Sequence, residues 1–166
     1  KRRTRYHIFP LINNVYIQIQ SVIFQIKGER NMIRKFQKTD GKQVMKIWLH
    51  GNEDAHPFIS KDYWMSNYFM VEEQLFCAEV FVYEIDGEIQ GFIGIAKNYI
   101  AGIFVSKKYR SLGIGKQLLD YVKQKYCSLS LGVYTKNKRA VAFYFREGFS
   151  IHSEQLDESA DEMEYI

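Results

Sequence analysis

The sequence has little cysteine. Cys77 and Cys127 lie far apart, neither in a Cys-x-x-Cys pair nor at metal-ligand spacing. That excludes a disulfide scaffold and a zinc site, and no metal is expected. Both are expected to be buried, reduced thiols of a cytoplasmic protein. Cys127, at a helix-to-strand junction with no histidine nearby in sequence, lacks the base a nucleophilic cysteine needs. Long apolar runs are also missing. Asn13, Asn14, Gln18, Gln20 and Ser21 interrupt the hydrophobic stretch near the start, and no small-residue cleavage site follows, so neither a membrane span nor a signal peptide is expected. Outside the first 31 residues there is no charge excess either. Lys1, Arg2, Arg3, Arg5, Lys27 and Arg30 against Glu29 give that segment +5 of a total of +4, leaving −1 for the remainder. A near-neutral body carries no signal for a nucleic-acid or membrane-surface partner. A polyanion-binding protein directed by the basic leader is the rival reading.

What is present suits one folded domain. Of 166 residues 46% are hydrophobic, with twelve Tyr and twelve Phe, enough for a sheet with large side chains between strands and helices. Residues 1–31 differ from the rest, with a two-residue alternation through Tyr16-Ile17-Gln18-Ile19-Gln20 that could pair as a strand. Met32 is read as the natural start and the leader as an extension, translated from upstream sequence or carried along in cloning, with the domain at 32–166.

From Met32 to Gln37 a short strand is predicted, then a helix capped by Thr39-Asp40 with Val44, Ile47, Trp48 and Leu49 on one face. A second helix starts at Ser60. Val80 to Ile85 and Ile89 to Ile95 read as a hairpin joined by Asp86-Gly87, and Tyr99 to Val105 as a third strand in the meander. After a helix from Gly113 to about Tyr126 come a strand over Ser128 to Thr135, a helix over Asn137 to Arg146 stopped by Gly148, and closing strands at Phe149 to Ser153 and Glu162 to Ile166 around an acidic loop. This order describes a mixed α/β layer fold.

The chain is organised around Ile103-Phe104-Val105, a polar corner Ser106-Lys107-Lys108-Tyr109-Arg110-Ser111-Leu112, and Gly113-Ile114-Gly115-Lys116 opening an amphipathic helix. Unpaired N–H groups at a helix start carry the positive end of the helix dipole and can bind a phosphate without dedicated side chains. Glycines at 113 and 115 let that backbone come close, and Arg110 and Lys116 are expected to add charge at either lip. The Walker order of glycine, four residues, glycine-lysine-hydroxyl is absent. A dinucleotide turn fails at its third glycine, which is Leu118, and no acid ends the next strand.

Arg110-x-x-Gly113-x-Gly115 after a strand resembles the acetyl-CoA motif of the GNAT superfamily of N-acetyltransferases. Asn137, then Ala140-Val141-Ala142-Phe143-Tyr144, then Gly148-Phe149 resembles the family's later block. The likeness runs from Met32 to the C-terminus and implies a mostly antiparallel central sheet flanked by helices and splayed at the acetyl-CoA site. It implies that Ile103, Phe104 and Val105 pair with the pantetheine arm and that Ser111 to Lys116 hold the diphosphate. Asn137 would orient the arm's amides, and Tyr144 would protonate the departing sulfur. The reaction would be direct attack of an uncharged primary amine on the thioester. His56-Pro57-Phe58-Ile59 with Tyr63-Trp64 is similar to small bacterial members grouped as peptidyl-lysine acetyltransferases, so a protein lysine stands ahead of a polyamine or aminoglycoside as acceptor. A silent acyl-CoA-binding module is the reading from another class. Many relatives carry a glutamate in the strand before the cradle. Tyr99 to Val105 has none, which leaves the base open among Glu79, Glu84, His56 and an ordered water chain. His56 and Glu79 are also the acceptor-side candidates. The expected state is monomer or homodimer.

Overall fold

The computed structural model describes residues 31–166. The expectations for the basic leader and its alternating stretch lie outside the described residues, apart from Asn31. Strands β1 (Asn31–Lys35), β2 (Glu79–Ile85), β3 (Glu88–Ala96), β4 (Tyr99–Val105) and β5 (Ser130–Leu131) form one sheet in that spatial order. All neighbours are antiparallel except β4 and β5. A second sheet takes β6 (Val133–Tyr134), β8 (Glu162–Tyr165) and β7 (Glu154–Asp157) in the order β6-β8-β7. Helices α1 (Gly41–Ala55), α2 (Lys61–Leu75), α3 (Ile114–Lys123) and α4 (Lys138–Arg146) complete the chain. This is the mixed, mostly antiparallel, helix-flanked architecture expected.

The two-residue period of β2 explains the layering. Val80 and Val82 face α1 and α2 in a core with Val44, Met45, Trp48 and Trp64, while Phe81, Tyr83 and Ile85 face α3 in a core with Leu118, Leu119 and Val122. A sheet covered on both faces reads as a nearly continuous apolar run, as Val80 to Ile85 does. Asp86 and Gly87, with φ of 49° and 85°, make the tight hairpin turn with two positive φ values.

Asp40 does not cap α1 as expected. It ends a short 3-10 turn, Lys38–Asp40, and its side chain reaches back, accepting the Gln37 N–H at 2.8 Å and pairing with Arg34 at 2.7 Å. A buried carboxylate takes a cation in preference to an exposed helix end. The hydrogen bonds from Arg34 hold the carboxyl below its ordinary range, against burial, which raises it. A depressed native pKa stabilises fully above the unfolded value near 4 and is lost as the pH falls through the native one. Urea unfolding should therefore weaken steeply below about pH 4, and Asp40→Asn should flatten that slope; an unchanged slope would refute the assignment.

Two strand expectations are corrected. The predicted Ser128 to Thr135 strand breaks into β5 and β6 at Gly132. The Gly132 N–H donates to the Tyr99 hydroxyl at 2.9 Å, and a Cβ there would collide with the Glu164 carboxylate and with that hydroxyl. The phenol occupies the place where the β4–β5 ladder would continue. Among the described residues pairing therefore ends at Ile100 with Leu131, and the edge of β4 from Ala101 to Val105 is splayed open. Phe149 to Ser153 is not a strand. Gly148, with φ of 90°, and Phe149 donate to the Phe145 and Tyr144 carbonyls at 3.1 and 3.0 Å, so this backbone closes α4. The closing strand is β7, inside the stretch expected to be an acidic loop. The cysteines are a third correction: Cys77 and Cys127 are exposed, in connecting segments beyond the ends of α2 and α3. No helix among the described residues is long and apolar enough to cross a membrane.

Candidate active site

From Val105 the chain passes through a 3-10 turn, Lys107–Tyr109, into Arg110 to Gly113. Ser111 and Gly113 take φ of 65° and 87°, which turns the main chain sharply into α3. The first full-turn bond of α3 is Gln117 N–H to Gly113 C=O at 3.0 Å, so the amides of Ile114, Gly115 and Lys116 have no helical carbonyl behind them. At Gly115 an added Cβ would meet only Phe143, Val105 and Ile103, none closer than 3.8 Å. A Cβ would thus be accommodated at ordinary contact distance, and the protein's own packing does not force glycine there.

The charged lips are arranged otherwise than expected. The Arg110 Nε donates to the Val105 carbonyl at 3.0 Å and its Nη1 pairs with Asp54 at 3.1 Å. Lys116 turns down its helix to Asp120 at 2.8 Å and Glu147 at 3.2 Å. Both cations have carboxylate partners in the protein alone, Lys116 with its side chain 55% exposed, so the amides are the groups of the corner with no partner of their own. Arg139, which sequence reasoning passed over, reaches across from the first turn of α4 to the Ser111 hydroxyl at 3.1 Å. Its signal was its place beside Asn137 in the second block. Asp54 was also missed, because only folding brings the end of α1 under the corner.

Along the splayed edge, Ile103 and Val105 join the α3 core, whereas Phe104 stacks on Phe92 with centroids 5.0 Å apart on the α1 side. The backbone groups of this edge past Ile100 have no strand partner among the described residues. Leu112 is exposed at the corner and Ile114 is buried.

Across the gap stands Asn137, cap of α4, whose Oδ1 accepts the Ala140 N–H at 3.1 Å. Its Nδ2 lies 3.1 Å from His56 Nε2. His56 sits against Trp64, Phe58 and Tyr134, with centroids 5.4, 5.6 and 5.2 Å away. Burial lowers its pKa to about 4, partly offset by the facing Asn52 carbonyl. The unfolded chain, with His near 6.5, binds the proton first, so stability should fall as the pH drops from about 6.5 toward 4. Urea midpoints measured across that window should decline less in His56→Gln than in the wild type; equal declines would count against this.

Tyr144 is partly buried between Phe143 and Phe149 and lines an apolar cavity of about 200 Å³ with Leu131, Val133 and Val141. Burial, then the neighbouring Tyr99, raises its pKa. It is a neutral phenol, and its hydroxyl makes no hydrogen bond among the described residues. Glu79 and Glu84 are not brought here. Glu79, at the start of β2, takes the Tyr126 hydroxyl, and Glu84 takes Arg34 at 2.6 Å. Around Tyr134 and the turn from Asp157 to Glu162, the Tyr134 hydroxyl donates to Asp157 at 2.7 Å, Tyr63 meets Ser159 at 2.9 Å, and Lys136 pairs with Glu162 at 2.7 Å.

Residues 77–151 match the model of the acetyltransferase (GNAT) domain. The chain is 37% identical over 122 residues to the peptidyl-lysine N-acetyltransferase YiaC of Escherichia coli K12, covering 72% of this chain and 84% of that protein. The chain belongs to the GNAT acetyltransferase family. The solution structure of apo YjaB from Escherichia coli superposes on this acetyltransferase with a TM-score of 0.73 at 22% identity, over 82% of this chain and 95% of that one. A PaiA N-acetyltransferase from Thermoplasma acidophilum, solved with coenzyme A, gives 0.67 at 20% identity, over 82% and 98%. These two likenesses speak for the architecture. Family membership makes the GNAT protein an N-acetyltransferase with acetyl-CoA as co-substrate.

Proposed function

We propose that this acetyltransferase modifies lysine side chains of proteins, binding the acetyl-CoA diphosphate on the amides of Ile114, Gly115 and Lys116. The observation that carries the cofactor reading is the helix start beside a splayed strand edge, where left-handed Gly113 turns the chain and the amides of Ile114, Gly115 and Lys116 have no helical carbonyl behind them. Ser111, Leu112 and Arg139 border the diphosphate, and Arg110 holds the corner through Val105 and Asp54. The free edge of Ile103, Phe104 and Val105 runs beside the pantetheine arm, with the Asn137 carboxamide opposite. The lysine reading rests on the relation to YiaC and, more weakly, on the acidic run Asp157 to Glu162, where Asp157 and Glu162 are engaged by Tyr134 and Lys136 while Glu158 and Asp161 are exposed to attract a cationic side chain.

In this reading the uncharged amine attacks the thioester carbonyl carbon. The carbon–nitrogen bond forms, the oxyanion is met by main-chain N–H, the carbon–sulfur bond breaks, and Tyr144 gives its phenolic proton to the sulfur. Glu79 and Glu84 are spent on Tyr126 and Arg34, and His56 on Asn137, so the amine's proton leaves through water. The catalytic domain is residues 32–166, with 1–31 an extension to it. It acts in the bacterial cytoplasm as a monomer or homodimer, without nucleic acid or membrane.

The test is acetyl-CoA consumption with lysine peptides, free amino acids, polyamines and aminoglycosides, with the products identified by mass. Acetylation of the lysine Nζ in peptides, well above the other amines, is expected. Preference for a polyamine or aminoglycoside overturns the acceptor reading, and tight acetyl-CoA binding without transfer to any amine makes the chain a silent binding module.

A further inference from the structure

The Asn137 side chain fixes a proton on a ring 81 residues earlier in the chain. Its Oδ1 accepts the Ala140 N–H, so the cap settles which end of the amide is oxygen. The other end, Nδ2, is an NH2 group with hydrogens to give and no lone pair to offer. His56 Nε2, at 3.1 Å, must therefore supply the lone pair, and the ring carries its hydrogen on Nδ1. Burial opposes a second proton, partly offset by the Asn52 carbonyl that takes the His56 main-chain N–H at 2.9 Å, so the ring is neutral and has one lone pair to give. Nδ1 itself is buried and makes no hydrogen bond among the described residues.

The ring cannot easily turn. Trp64 from α2, Phe58 from the loop before it and Tyr134 from β6 hold it on three sides, Phe58 and Tyr134 edge-on. A gripped acceptor of this kind removes torsional freedom from its donor. One Nδ2 hydrogen of Asn137 goes to His56, and the second is unclaimed by any side chain among the described residues. We infer that His56 is a positioning residue for the co-substrate: through its Nδ1–H tautomer it locks the Asn137 carboxamide so that the second N–H faces the pantetheine arm. This rests on the reading of Asn137 as a contact of that arm. It also withdraws His56 from the candidate bases, because its lone pair is in use.

The experiment has a spectroscopic and a kinetic arm. In uniformly 15N-labelled protein, two-bond 1H–15N correlation spectra at neutral pH should give the Nδ1–H pattern for His56, and the Nε2–H pattern overturns the inference whether or not any variant folds. In kinetics, His56→Phe keeps the packing but cannot accept, and should raise the acetyl-CoA KM about five- to tenfold, the range expected for one lost hydrogen bond, with kcat within about twofold. His56→Gln, whose amide oxygen can accept, should recover much of that loss. Asn137→Ser keeps a capping oxygen but no N–H. It should raise the same KM at least as far and make a further His56→Phe change silent. If Asn137→Ser raises KM and His56→Phe does not, the positioning role is wrong while the Asn137 contact stands. If Asn137→Ser leaves KM unchanged, the contact reading fails and takes the inference with it.

Discussion

Tyr144→Phe lowers kcat for acetylation of a lysine peptide about a hundredfold while leaving the acetyl-CoA KM within about twofold. The direction follows from what the hydroxyl does and does not touch. It makes no hydrogen bond to the protein among the described residues, so removing it leaves no orphaned partner and little stability is at stake. The ring remains packed between Phe143 and Phe149. What is lost is a proton donor, and positioned general acids supply roughly 10²- to 10⁴-fold. Because burial holds the phenol above its ordinary value near 10, the wild-type kcat profile should show no alkaline limb from this group below about pH 10. Steady-state kinetics with mass detection of the product decide the matter. Unchanged turnover in the Phe variant removes Tyr144 from the proton transfer.

Gly113→Val should raise the acetyl-CoA KM by more than about tenfold and lower the thermal midpoint by several degrees. At φ of 87° a β-branched residue is strained by about 1–3 kcal/mol. The strain is the backbone's alone, since a Cβ at 113 would meet nothing nearer than the Gln117 amide at 3.8 Å. The chain can relieve it only by rotating the turn that aims the Ile114, Gly115 and Lys116 amides, so affinity and stability fall together. Gly113→Asn is the control, because asparagine tolerates the left-handed region, and it should show a small part of both effects. Isothermal titration with acetyl-CoA and a melting curve check the pair. Wild-type affinity in the Val variant would mean the diphosphate does not lie on these amides.

Local chemistry made much of this legible in sequence. Asp86-Gly87 announces its turn, Ser60 caps α2 through the Tyr63 N–H, and Leu118, Leu119 and Val122 face the core because the helical period puts them there. The strand-to-helix corner was legible for the same reason, since two glycines at such a corner are a local signal. What escaped depends on groups far apart in the chain. The break in the Ser128 to Thr135 run needs Tyr99 and Glu164 on either side of Gly132, and no window of sequence contains all three. The pairing of Arg110 with Asp54 and of Asn137 with His56 is likewise tertiary. The turn of Lys116 toward Asp120, one turn on, is a contest that spacing records but does not decide.

The phenol at the foot of β4 has a consequence for how fast the co-substrate is captured. On the proposed reading of the site, pairing of β4 with β5 already stops at Tyr99 and Gly132 in the protein alone, so no ladder has to be unzipped when acetyl-CoA arrives. Entry is then a docking event into an edge that is already open. The entropy of shaping that edge was spent during folding, and capture is set by diffusion and the orientation of the thioester arm.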